Sequence, residues 1–480
     1  MIQRQRVKTQ AGLNDAQRAL AVLDEFCRQN GGNSAEIVVD SDTDVARIVT
    51  FQTAKMKRLF KAFPEVVLVD STYDTNANRY KLFSFVVHDV FGKGQYVHHA
   101  LVESENKVNL RRVIEIFKKN NPDWEKVRVF MTDKAMHEKT VLKEEFPHAR
   151  QLLCQWHVVT WLKKQAARMA ASVKKELKAL MGLLVYARSK MEYDEARDTM
   201  KDLLGGDEEH PLYRTFLDNW DNSQEEWVSY LRGNVPHLTN NTNNRIESKW
   251  GKIKDVIKGT FSIDELVTTL VTLQEYAEDQ YIAEYHRVGS RPHGPDEDPE
   301  LAALAMQISP FAHRLVEEQH GLATSPNTNY NVELLSPGKA IATNNSTGVT
   351  HEVNIERSRC KCIFMETCLL PCRHVMHARM KLGYETVIPP MKTIPARWIV
   401  HSSINNIAEG DVVAGGLLEV SAAPLPKQNP VSASDMYIQS KALTEKIVDR
   451  LALQTTPTFS VAYKWLEDFY EALNNGQVVD

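Results

Sequence analysis

The segment CKCIFMETCLLPCRH sets Cys360 and Cys362 two residues apart, then Cys372 and His374 two residues apart, with nine residues between the pairs. Thiolates and an imidazole are the ligands zinc takes in a closed tetrahedral site, so the two arms supply a complete set. Side chains two apart on an extended strand point the same way, and each arm can therefore offer both ligands to one ion. Pro371 fixes the turn into the second arm. Cys368 could replace Cys372 or lie in the loop as a small buried side chain, and His377, one helical turn beyond His374, could compete as well. The repeated two-residue spacing favours Cys372 and His374.

A second set of residues is acidic. VVLVDSTYDTN and VRVFMTDKA are apolar runs that end in Asp70 and Asp133. Carboxylates at the C-terminal ends of strands project from the edge of an α/β sheet, where ligands of such sheets sit. NNTNNRIESKWGKIK adds Glu247 near the start of a helix. Two or three converging carboxylates can hold a pair of Mg2+ or Mn2+ ions about 4 Å apart, which activate water or a 3′-hydroxyl for in-line attack on a phosphodiester. A strand that ends in Asp also serves as a plain turn cap, so the residues alone leave both readings open.

The elements that would position these groups follow from the hydropathy pattern. Residues 1–64 read as helical with one short strand, EIVVD at 36–40, and a helix over ARIVTFQTAKMKRLFKAF. VVLVD is a continuous apolar run of the kind that forms a buried central strand. YKLFSFVVHDV and QYVHHALVES are β-branched and aromatic, and Gly92 and Gly94 between them suit a hairpin. NKVNLRRVIEIFKKNN has helical spacing and stops at Pro122, VRVFMTD is another strand, and helices follow over 134–145 and beyond a short strand near 150. Three strands, helix, strand, helix, strand make a mixed α/β layer. The divisions are a helical N-terminal region (1–64), an α/β domain (65–285) with a helical insertion at about 160–240, a linker and helix (286–328), a zinc module (329–385) entered through a small antiparallel sheet, and a helical C-terminal region (386–480).

The Cys-x-Cys, spacer, Cys-x-His pattern with LPCRHV around Cys372 and His374 resembles the SWIM zinc finger, over roughly residues 340–380. Upstream, D-S-T-Y-D-T-N after one apolar strand, T-D-K-A after another, then C-Q-W-H and N-N-R-I-E-S resemble the ribonuclease H-like core of Mutator-like transposases, from about residue 45 to 400. The resemblance implies an α/β fold, a ribonuclease H-like mixed sheet with an all-helical insertion, a SWIM module and a helical C-terminal region. It implies that Asp70, Asp133 and Glu247 are catalytic ligands of Mg2+ or Mn2+, and that Cys154 and His157 act beside the metals or a DNA strand; the residues themselves fit equally a Cys and a His packed on the helix that follows. It implies structural Zn2+ on Cys360, Cys362, Cys372 and His374, DNA as substrate, protein partners through the SWIM module, room for self-association, and a nuclear setting. Two functions are compatible with it: a phosphodiester-transferring enzyme, and a non-catalytic DNA- or protein-interaction protein that keeps the core as a scaffold.

Bulk properties set the outer bounds. Four of the six cysteines fall between 360 and 372, which argues against a disulfide framework and for a local metal site in a reducing compartment. No run approaches the ~18 apolar residues of a membrane span, and the start has no apolar signal region. The net charge of −4 gives no whole-chain basic surface, so contact with nucleic acid has to come from local stretches such as Lys163-Lys164 and Arg245 to Lys258.

Overall fold

The computed structural model describes residues 14–133, 136–165, 169, 171–240, 244–290, 297–400, 416, 418–423 and stretches of 440–474. Residues 424–480 form a compact unit of their own, in which one helix spans Thr456–Asn474. Everything else described belongs to the unit that ends at Ala423.

That unit is built on one sheet. In chain order its first part runs α1 (Asp15–Gln29), β1 (Ser34–Asp40), β2 (Ala46–Gln52), α2 (Ala54–Ala62), β3 (Val66–Thr72), β4 (Lys81–His88), β5 (Gly94–Val102), α3 (Lys107–Asn120), β6 (Val129–Thr132), α4 (Met136–Glu145) and β7 (Arg150–Leu153). With β12 (Leu418–Ala423) these strands form eight in the order β12-β1-β2-β5-β4-β3-β6-β7. The pairs β12–β1, β3–β6 and β6–β7 are parallel and the remainder antiparallel. The mixed α/β layer expected from the sequence is present.

The central strand shows why a continuous apolar run was needed. Val66, Val67, Leu68 and Val69 are all fully buried, with Val66 and Leu68 in the core on one face and Val67 and Val69 in the core on the other. A strand covered on both faces cannot alternate with polar residues. One face carries α2, α3 and α4 through Leu59, Phe60, Val113, Phe117 and Leu142. The other carries α1, the long helix Ile263–Tyr285 and the helix Pro310–Thr324 through Leu23, Leu266, Leu270 and Val316.

The hairpin between β4 and β5 turns where expected. Gly92 has φ +77°, and a Cβ there would lie 2.6 Å from the Phe311 ring, so glycine is required twice over. The buried Asp89 carboxylate accepts from Phe91 N–H and Lys93 N–H at 2.9 and 2.8 Å and from the Gln95 amide at 2.8 Å, which fixes the turn.

The N-terminal region differs from its expected helical character. ARIVTFQ is strand β2, antiparallel to both β1 and β5. Its apolar residues continue the helical-looking spacing of the segment behind it, but pairing on both sides claims its backbone, and Thr53 starts α2 by accepting Met56 N–H at 3.0 Å. Residues 34–52 thus widen the same sheet that carries β3. The C-terminal region is likewise not helical throughout, since β12 lies beside β1 at the sheet edge.

Buried histidines make the fold sensitive to acid. His98 stacks edge-on against Phe85 and Phe117, and His99 Nδ1 bonds Ser84 Oγ at 2.7 Å. Burial pushes both down to about 3, and pushes His237 down to about 4. In the unfolded chain each takes a proton near pH 6.5. Their contribution is therefore complete above about pH 6.5 and is lost as pH falls toward 4, by about 1.4 kcal/mol per pH unit for each. Asp89, pushed up to about 6 by burial, works in the opposite sense and offsets one of the three. The unfolding midpoint in urea is expected to fall steeply between pH 6.5 and 5. An unchanged midpoint would show that these histidines are charged in the fold.

Candidate metal centre and carboxylate edge

After the long helix come α-helices Pro299–Ala305 and Pro310–Thr324, then a four-stranded antiparallel sheet of β8 (Tyr330–Ser336), β9 (Lys339–Asn344), β10 (Thr350–Asn354) and β11 (Arg359–Cys360). Two short helices, Ile363–Cys368 and Arg373–Lys381, close it. Cys360 ends β11, and Cys362 is the extended residue before the first helix. Cys372 is the extended residue before the second, and His374 lies in that helix's first turn. The second arm is thus a helix start and not the strand that its spacing suggested. Leu369, at φ +55°, makes the left-handed turn between the helices, and Pro371 leads into Cys372.

One ligand atom from each of Cys360, Cys362, Cys372 and His374 lies within 4.8 Å of all the others, and all four residues are buried. Cys360 Sγ is 3.8 Å from His374 Nδ1. Zinc–ligand bonds of 2.0–2.3 Å make a tetrahedron with edges of roughly 3.3–3.8 Å, so this donor set could hold a zinc ion. Hydrogen bonds from Cys360 and Cys372 hold the Cys362 thiol well below the ordinary range. The same sharing pushes Cys360 up to about 12 and Cys372 well up.

With Nδ1 turned to the thiols, His374 Nε2 faces the Tyr330 hydroxyl at 3.1 Å, and Arg373 Nε donates to that hydroxyl at 3.2 Å. Such an outer partner fixes ring orientation and tautomer. His351 stacks on the His374 ring at 3.9 Å. Neither Tyr330 nor His351 carried a sequence signal, because each is a single residue on a hairpin with no spacing to mark it.

Cys368 and His377 lie outside the set. Cys368 belongs to the main core with Leu370, Met376 and Trp398, while Cys360, Cys362 and Cys372 belong to the module's own core. Burial pushes the Cys368 thiol up to about 11. His377 Nδ1 bonds the Ala323 carbonyl at 2.8 Å.

The carboxylates belong to the large sheet. In the parallel pair β3–β6, Val66 faces Val129, Val67 faces Phe130 and Leu68 faces Met131. Continuing that register brings Asp70 level with Asp133. In β6–β7, Thr132 faces Leu153, so Asp133 is level in turn with Cys154, whose N–H bonds Thr132 O at 3.0 Å. Asp70 near the end of β3, Asp133 just past β6 and Cys154 just past β7 thus lie at the same end of three adjacent parallel strands, whose spacing is about 4.8 Å. Cys154 immediately precedes the helix Gln155–Gln165, and His157 lies in its first turn.

Glu247 is placed by its helix, Asn244–Val256, and its side chain is outside the described residues. That helix crosses Asp70: the Trp250 indole N–H donates to Asp70 Oδ2 at 3.0 Å. Position 247 is three residues before Trp250, hence on the same helix face. Trp250 was missed in the sequence, although its place three residues after Glu247 was a usable signal.

The insertion between the two groups forms its own core around Trp220, Trp227 and Tyr193. The buried Arg232 anchors its exit to the sheet edge, donating to Leu153 O at 3.1 Å and Asn240 O at 3.3 Å. Leu238 N–H, at φ +54°, then donates to Thr367 O at 2.8 Å. The segment that leads into the Glu247 helix is thereby clamped to the first helix of the cysteine module.

Residues 24–152 match the family model described as Zinc finger SWIM domain-containing protein 1/3, RNaseH-like domain. The match covers β1 to β6 and β7 up to Leu152, and so nearly all of the large sheet except β12. The sheet is thus an RNaseH-like domain, and the likeness is to SWIM-type proteins. Among the described residues no helix is long and apolar enough to cross a membrane.

Proposed function

We propose that this chain is a SWIM-type zinc protein whose RNaseH-like sheet acts on DNA as a Mutator-like transposase core, in the nucleus. Zinc held by Cys360, Cys362, Cys372 and His374 would be structural, since four protein ligands leave no open position. Asp70, Asp133 and Glu247 would hold Mg2+ or Mn2+, which supplies an activated oxygen nucleophile and stabilises the leaving oxygen. Trp250 orients the Asp70 carboxylate, and Cys154 and His157 border the site on the β7 side. The observation that carries this reading is the register that sets Asp70 beside Asp133, with the Glu247 helix bonded to Asp70 through Trp250.

A second reading is favoured by that same bond. A carboxylate already engaged by an indole is also what a retired site would keep as a strut, leaving a DNA- or protein-binding scaffold. Incubation with Mn2+ and linear and branched DNA separates the two. Products from the wild type and none from Asp133→Asn support the enzyme; identical traces from both support the scaffold.

The clamp at Leu238 gives a consequence of zinc removal. Cys368 O accepts from the Trp398 indole at 3.0 Å, and Ile363 lies 3.1 Å from where a Cβ on Gly233 would be. Chelation is expected to speed hydrogen exchange at the Leu238 amide and in the helix Asn244–Val256. Unchanged protection there would show that the module and the carboxylate helix are independent.

A further inference from the structure

Two large aromatic side chains stand open at the carboxylate edge. Tyr73, three residues after Asp70, is 71% exposed, and Trp156, two residues after Cys154, is 47% exposed. Tyr73 follows β3 and Trp156 follows β7, with Asp133 at the end of β6 between them. Two strand spacings separate β3 from β7 by roughly 10 Å. Exposed rings of this size cost hydration and contribute nothing to the core, unlike Trp250 and Tyr96 close by, which are buried.

The Tyr73 platform is built. Its loop is tied down where Ala77 N–H bonds Phe261 O at 2.8 Å, and where Asn76 accepts from Tyr80 N–H at 3.0 Å and donates to Tyr80 O at 2.7 Å. A Cβ on Gly259 would lie 2.3 Å from Asp74 Oδ1, so the turn after the Glu247 helix is closely fitted to this loop. Lys254 Nζ lies 4.8 Å from the Tyr73 ring centre. Lys258 is exposed beyond it, and Lys163 and Lys164 are exposed on the helix that begins with Trp156's turn. A cation thus lies at the Tyr73 ring, and two more are carried two turns along the helix of Trp156, in a chain whose net charge is negative.

We infer that Tyr73 and Trp156 are stacking platforms for the bases of a single DNA strand laid across the ends of β3, β6 and β7, with the flanking lysines on its phosphates. This rests on the reading of the edge as a nucleic-acid site and adds how a strand is held there. Rings that accept any base, beside point charges that track a backbone, suit an unpaired strand better than a duplex, whose base faces are hidden. Stacking is worth about tenfold or more in affinity per base.

The test uses the full zinc-loaded chain carrying Asp133→Asn, so that cleavage plays no part. Fluorescence anisotropy compares a labelled single strand of about 12 nucleotides with an abasic strand of equal length. The expected result is that Tyr73→Ala and Trp156→Ala each weaken binding of the base-bearing strand about tenfold. Tyr73→Phe and Trp156→Tyr should restore it, and the abasic strand should bind all variants equally. Both side chains are exposed, so these variants fold. Equal affinities for the base-bearing strand, an equal loss on the abasic strand, or no binding of either strand would overturn the inference. Aromatic dependence without Mn2+-dependent cleavage in the wild type would support it while removing the catalytic reading.

Discussion

Cys372→Ser is expected to reduce zinc from about one ion per chain to almost none and to unfold the segment around it. The residue is fully buried at the junction of β11 and the two short helices, and three other ligand atoms converge on its sulfur. Metal binding in small zinc modules carries on the order of 10 kcal/mol, and that energy is folding energy. Here the module's own core is small, built around Ala340, Ala342, Val353, Ile355, Val375 and the ligands themselves. Without an ion, three thiols packed together have only one another and the His374 ring as partners. Cys368→Ser is the informative contrast. Its sulfur sits in the main core beside Leu370 and Trp398, so this variant is expected to keep its zinc and lose only about 1–3 kcal/mol for burying a hydroxyl. Metal analysis and thermal melts distinguish the two; zinc lost from Cys368→Ser and kept by Cys372→Ser would reverse the ligand assignment.

Asp133→Asn is expected to abolish Mn2+-dependent phosphodiester cleavage, by at least about a thousandfold. Removing one charge from a two-metal site forfeits several kcal/mol of transition-state stabilisation, and each 1.36 kcal/mol is tenfold in rate. The substitution preserves size and leaves the β6–β7 ladder intact, so stability should change little. Asp70→Asn should behave alike, because its amide oxygen can still accept the Trp250 N–H while the charge is gone. Gel separation of labelled DNA products gives the ratio; a fall of less than tenfold in either variant would remove the residue from the reaction.

Much of this arrangement was legible because burial leaves a local mark. VVLV and VFM are unbroken apolar runs since both faces of β3 and β6 are covered, and an acid follows each within two residues. The 63-residue offset between Asp70 and Asp133 is visible in the sequence, but only the β3–β6 register turns it into adjacency. The four members of the cysteine–histidine cluster were legible because both arms share one spacing, although the second arm proved to be a helix start. What escaped depends on partners distant in the chain. ARIVTFQ looked helical because its pairing with β1 and β5 is invisible locally. Strand β12 joins β1 across nearly four hundred residues, and Tyr330 reaches His374 from a separate hairpin. Cys368 could be told from Cys372 only by which core each faces.

The most direct measurement is Mn2+ uptake by the zinc-loaded chain, followed by the electron paramagnetic resonance of free Mn2+. Wild type should take up about two ions per chain, and Asp70→Asn/Asp133→Asn should take up none while keeping its zinc. Equal uptake by the two proteins would contradict a metal site at the carboxylate edge.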